Sequence, residues 1–276
     1  MRKRQTLMRK RIINVIKKEW RITFSSMNSV LFVILMPLIL TLQALLCIYL
    51  AMRFAGAQAL IKTILAKGME NWLAAFPALQ ELPLIERFQV FFFSQFPFYL
   101  LLIPALIAMS LATFSIIEEK QTRTLEPLLA TPVRTWELLL GKSLAGAIVA
   151  LLMSWSCAGI FLIATMWMGS ANLLKSVWNA QWLISLFLLV PLVSLLSFLL
   201  GLIASSKAHD AKSAQNIALV IVLPVLAIIG VQLTGFLVFT PVRLLIVSVA
   251  MGMVNLLVLR VAVRLFQRES IVIAWR

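Results

Sequence analysis

Charge is scarce in this chain. Only 13% of its 276 residues are Asp, Glu, Lys or Arg while 62% are hydrophobic, and the mean hydropathy is +1.01. A soluble domain carries roughly 25% charged and 45–50% apolar residues, so a water-soluble fold is excluded. Histidine is nearly missing too. With His209 alone, in a short loop, neither a His-based metal cluster nor a Ser-His-Asp triad can be assembled, and no metal site is expected. Cysteine is limited to Cys47 and Cys157, both inside apolar runs, where packing is a simpler role than a disulfide or a metal pair. Acids are the rarer charge, 10 against 25 Lys and Arg. In so apolar a chain the resulting +15 points to a membrane surface rather than to nucleic acid.

What the chain has instead is long uncharged runs: 24–52, 88–117, 143–174, 176–206, 213–242 and 244–259. The first five exceed the roughly 20 residues that cross hydrocarbon as a helix. The sixth is shorter, but Arg243 and Arg260 flank it and can snorkel to the two interfaces. This predicts six spans, at about 29–52, 91–117, 141–168, 181–204, 216–236 and 242–262, in one membrane domain covering 1–276. With both termini inside, 19 of the 25 Lys and Arg fall in cytoplasmic segments, as the positive-inside rule requires. The apolar run after the basic start is too long for the core of a signal peptide and lacks a small-residue cleavage site, so the segment is expected to stay attached.

Residues 1–23 hold nine basic residues and one acid, Glu19. Met8, Ile12, Ile16, Trp20 and Phe24 recur every four positions, which places one apolar stripe on a basic helix suited to the inner leaflet. Within the spans, Pro37, Pro97, Pro104, Pro191 and Pro224 predict kinks, because each removes a backbone donor. The outer segment 53–88 contains a candidate amphipathic helix at 55–66 and is too small for a separate domain.

Residues 118–142 read EEKQTRTLEPLLATPVRTWELLLGK and concentrate charge between spans two and three. Leu125, Leu128, Leu129, Val133 and Trp136 recur at helical spacing, and Thr131-Pro132 has the form of an N-cap and first-turn proline. The run Glu119, Thr124-Leu125-Glu126, Leu128-Leu129, Thr131-Pro132-Val133, Glu137-Leu138 and Gly141-Lys142 resembles the loop between spans two and three of type-2 ABC exporter permeases. Asp210-Ala211-Lys212 with Ala214-Gln215-Asn216, and Leu265-Phe266-Gln267-Arg268-Glu269, are similar to later parts of that family. The chain departs from the family's Glu-x-x-x-Gly-Thr pattern by carrying Arg123 before Thr124.

The resemblance implies an all-α integral membrane protein with a cytoplasmic coupling helix within 118–140. It implies that this helix sits on a separate ATP-binding subunit, contacted through Glu118, Glu119, Thr124, Leu125 and Glu126, with Trp20 on the neighbouring helix. It also implies a second permease subunit, identical or related, in the inner membrane of a prokaryote. ATP and Mg would then be bound by the partner, with no cofactor in this chain. The residues themselves agree: Gly141-Lys142-Ser143 is no phosphate loop, because Trp136 stands where that motif needs its first glycine.

The spans carry no Asp or Glu at depth, which argues against an independent proton-driven carrier. Their polar groups are mild, and Gln43, Gln95, Gln232 and Asn255 are the candidates for a substrate path, with interhelical hydrogen bonding as the plainer alternative. Two other functions stay open at this point, a non-transporting scaffold that recruits a soluble partner and an ATP-independent channel or carrier. No acid, base or nucleophile constellation marks an enzyme.

Overall fold

The computed structural model describes residues 2–54, 64–121, 135–168, 179–207, 223, 225–232, 234 and 238–266. Helix α1 (Arg2–Ser25) is followed after one residue by α2 (Met27–Phe54). Then come α3 (Ile64–Ala75), a 3-10 turn (Pro77–Leu79), α4 (Leu84–Leu100), α5 (Leu102–Gln121) and α6 (Thr135–Met168). A short α7 (Ala180–Ile184), a π-helical turn (Ser185–Leu189) and α8 (Val190–Lys207) run on without a break, and α9 (Pro241–Leu265) is the last helix named. Among the described residues there is no strand.

Five stretches are long and apolar enough to cross a membrane: Ser29–Leu50, Leu84–Ser115, Trp136–Trp167, Ala180–Ser206 and Pro241–Leu265. They match five of the six spans expected from sequence. The expected span at 216–236 falls partly outside the described residues, and 225–232 within it is helical. The loop residues 122–134, including Thr131-Pro132, also lie outside them.

The second stretch begins earlier than expected, at Leu84, and is interrupted at Leu101. Pro104 accounts for the interruption. Its missing N–H cannot close onto the Leu100 carbonyl, so the helix ends there, Leu101 N donates to Phe98 O (3.1 Å), and a new helix starts with Pro104 in its first turn. Pro191 acts differently. The Val190 N–H reaches back to Ser185 O in the π-helical turn, and the next such bond, onto Leu186 O, would need the N–H that Pro191 lacks. That carbonyl is satisfied from another helix: Trp155 Nε1 on α6 donates to Leu186 O at 3.1 Å. In hydrocarbon no water can do this, so the indole is the donor the proline demands.

Helices α4 and α5 form the buried middle of the bundle, with Phe88, Phe91, Phe93, Phe98, Ile103 and Ile107 inside. Helix α8 lies close against α5. A Cβ built on Gly201 would stand 2.9 Å from Ala112 Cβ and 3.0 Å from the Met109 carbonyl, so only glycine lets these two backbones approach. On α3, Ala66, Met69, Trp72 and Leu73 are buried at helical spacing, and Trp72 packs against Phe91 at 5.9 Å, so this part of the outer segment folds onto the bundle. Helices α2 and α9 turn wide apolar faces outward, including Leu35, Ile39, Leu42, Ile246, Met253 and Leu256. Such faces suit lipid.

Replacing Gly201 by Val would force α8 from α5 and cost about 1–3 kcal/mol, as overpacking does. A lowered thermal midpoint of the purified chain in detergent is the expected result, against little change for Gly159→Ala, whose Cβ meets nothing within 4 Å.

Candidate functional site

Helix α1 carries consecutive residues Lys18 and Glu19, which point about 100° apart around the helix axis. Glu19 turns toward α6 and Lys18 toward the end of α5. On α5, Ser115 and Glu119 are four positions apart and share a face. Between them stands Lys142 of α6, whose side chain is only 1% exposed. Its ammonium is 3.0 Å from Glu19 Oε1 and 2.9 Å from Glu119 Oε2, and it donates to Ser115 Oγ at 2.7 Å. The ammonium thus has one hydrogen bond, to Ser115, and two carboxylates at ion-pair distance, while Glu119 Oε2 itself has no hydrogen-bond partner. Ser115 passes its own hydrogen to Glu19 Oε2 (2.8 Å), and Lys18 Nζ donates to the other Glu119 oxygen (3.0 Å).

Two carboxylates and two ammoniums thus neutralise one another where three helices meet. Burying Glu19, Glu119 or Lys142 alone would be far too costly, while Lys18 stays partly in the open. Around the cluster the same helices are tied again. Trp20 Nε1 donates to Ala145 O at 3.0 Å, Arg11 pairs with Glu137 at 3.5 Å, and Val15 presses on Gly141, where a Cβ would come within 2.8 Å of Val15 Cγ1.

These placements sharpen the sequence expectations. Glu119 and Trp20, both expected to contact a partner subunit, are turned into the seam between helices, where the Trp20 indole is bonded to Ala145 O and Glu119 is paired with Lys18 and Lys142. Glu118 lies in the last turns of α5, and Thr124, Leu125 and Glu126 lie outside the described residues. Sequence reasoning met Lys142 in the family-like run and as part of a phosphate loop it could not make, gave it no role, and missed Glu19, Ser115 and Lys18. A signal was there: Glu19 is the single acid among nine basic residues in 1–23, and Lys142 stands at the mouth of an uncharged run.

A second site lies elsewhere in the bundle. Gln43, Gln95 and Gln232, from α2, α4 and the helical 225–232 segment, converge on a cavity of about 220 Å³ walled by Phe92, Phe96 and Tyr99. Gln95 Nε2 donates to Ser94 Oγ at 3.0 Å, whereas Gln95 Oε1 and both polar atoms of Gln232 are buried without a partner. No charged residue lines it. Asn255 is not among its walls. Its Nδ2 donates instead to Leu192 O (3.1 Å) and Met251 O (3.0 Å), tying α9 to α8. Gln95 and Ser115 are twenty positions apart, on either side of the interruption at Leu101, so the cavity and the ionic cluster are separate sites.

A family model for ABC-2 family transporter proteins matches residues 77–257, about two-thirds of the chain. The chain belongs to this family. It is a membrane-embedded transport permease, and the match contains Gln95, Gln232, Ser115, Glu119 and Lys142 while leaving α1, with Glu19, outside. No curated protein matches the ABC-2 permease.

In the ABC-2 permease, Lys142→Met would leave Glu19 and Glu119 facing each other across an apolar gap. Removing one partner of a buried ionic group costs about 3–5 kcal/mol. Membrane levels and thermal midpoint should both fall well below wild type, by immunoblot and by melting in detergent.

Proposed function

We propose that the ABC-2 permease is one half of an exporter. Two such subunits, identical or related, pair in the inner membrane of a prokaryote and work with cytoplasmic ATP-binding subunits that hold ATP and Mg. The observation that carries this reading is the convergence of Gln43, Gln95 and Gln232 on one cavity within the spans of an ABC-2 chain. A passage needs polar groups that wait for a ligand. Buried amide atoms without partners cost about 1–3 kcal/mol each, and a substrate that hydrogen-bonds to them relieves that cost.

The cavity's chemistry supports a particular class of cargo. Aromatic walls and amides with no charge suit an uncharged, largely apolar compound that both donates and accepts hydrogen bonds. ATP binding draws the partner subunits together, and the segment 118–140, touching them through Glu118, Thr124, Leu125 and Glu126, passes that closure to α5 and α6. The interruption at Leu101 lets α5 tilt against α4, which carries Gln95. Switching such an equilibrium from 1:99 to 99:1 takes about 5.5 kcal/mol, so the contact with the partner must be firm.

Reconstitution with an ATP-binding subunit that co-purifies with it tests the proposal. Substrate should move only when ATP is hydrolysed, and Gln95→Leu or Gln232→Leu should cut transport by about tenfold, the equivalent of one lost hydrogen bond. Flux through vesicles holding the permease alone would make it a channel or carrier. A partner that binds without substrate-stimulated hydrolysis would make it a scaffold. Charge reversal in Glu126→Lys should leave the permease inserted yet separate ATP turnover from transport, read as substrate moved per ATP.

A further inference from the structure

Three helices of different origin meet at Lys142. Helix α1 precedes the first span, α5 ends the second and α6 begins the third, and the segment joining α5 to α6 is the one proposed to meet the ATP-binding partner. The cluster does more than neutralise charge. Glu19 ties α1 to α6, Glu119 ties α5 to α6, Lys18 ties α1 to α5, and Ser115 bonds to both Lys142 and Glu19. Every pair among the three helices is therefore joined by at least one charge-assisted contact of 3.0 Å or shorter. Apolar packing lets helices slide; a closed ring of ion pairs and hydrogen bonds resists it.

The direct contacts point the same way. Gly141 admits Val15 to the surface of α6, and the Trp20 indole is bonded to a carbonyl one turn further along. The contrast with the other end is sharp, because the α4–α5 stretch that leads from this ring toward the cavity is broken at Leu101. A rigid inner end and a broken middle make a lever with a hinge.

We propose that the Glu19–Lys142–Glu119 ring is the joint that makes α1 and the inner ends of α5 and α6 move as one body, and that Lys142 is thereby a positioning residue for transport. It touches neither substrate nor nucleotide. The role in transport rests on the ATP-driven reading above, whereas the joint itself does not.

The test removes the ring without stranding a charge. The triple variant Glu19→Gln, Glu119→Gln and Lys142→Met replaces the buried ions by neutral groups of similar shape, an exchange that buried ion clusters often tolerate in stability. In the full-length permease in nanodiscs, amide hydrogen exchange across residues 8–23 should rise about tenfold while that of α8 stays at the wild-type rate. With the ATP-binding subunit present, substrate moved per ATP should fall about three- to tenfold, the size of effect that coupling networks show. Linking Arg11→Cys to Glu137→Cys across the seam with a short bifunctional thiol reagent, with Cys47 and Cys157 replaced by Ser, should restore both values toward wild type.

Wild-type exchange in α1 of the triple variant overturns the joint. Loosened α1 with unchanged transport per ATP overturns its place in transport. Should the wild-type complex itself move nothing on ATP, the exporter reading fails, and the exchange rates still decide the joint. If the triple variant does not reach the membrane, Ser115→Ala serves, since it deletes two contacts of the ring and keeps all its charges; it should shift both readouts in the same direction by a smaller factor, and no shift in either overturns the proposal.

Discussion

A buried ammonium needs its counter-charges within reach, and in this permease that requirement organises one end of the bundle. Lys142 sits where an uncharged run of 32 residues begins, and the surrounding apolar side chains offer it nothing. Its neutrality has to come from other helices. Glu119 is a buried group near the end of α5, and Glu19 is the only acid of α1, so the two helices must converge on α6 for any of the three charges to be stable. The attraction is short-ranged in effect, because the geometry must satisfy every donor as well as the net charge. Position and pairing are decided together.

The same logic, applied to neutral groups, shapes the spans. Each proline withdraws a backbone donor, and hydrocarbon supplies none in exchange. At Pro104 the backbone answers by ending one helix and starting another. At Pro191 it answers with a wider turn and borrows the Trp155 indole from α6. At Pro37 the helix runs straight on through the proline. Three prolines thus have three outcomes.

Much of the fold was legible because lipid imposes it on composition. Uncharged runs bounded by Lys and Arg marked Pro241–Leu265, Ala180–Ser206 and Ser29–Leu50 nearly to the residue, since hydrophobic length is a one-dimensional property. The π turn was not legible, because its cause lies in the pairing of Pro191 with a tryptophan 36 positions earlier. The glutamines of the cavity could be picked out as rare polar groups at depth. That Gln43, Gln95 and Gln232 meet while Asn255 stands apart depends on how helices rotate, which periodicity leaves open in spans that are apolar all round. Glu119 shows the same limit: its place in the charged loop was plain, its direction was not.

Helix α1 offers Lys142 a single carboxylate among nine bases. Sliding α1 by one turn would present Val15 or Thr23 in place of Glu19 and bring a further cation no closer to an anion. The amino-terminal helix therefore docks in one register only, as a key with one tooth, and a permease still emerging into the membrane has an unambiguous signal that this helix and α6 have found each other.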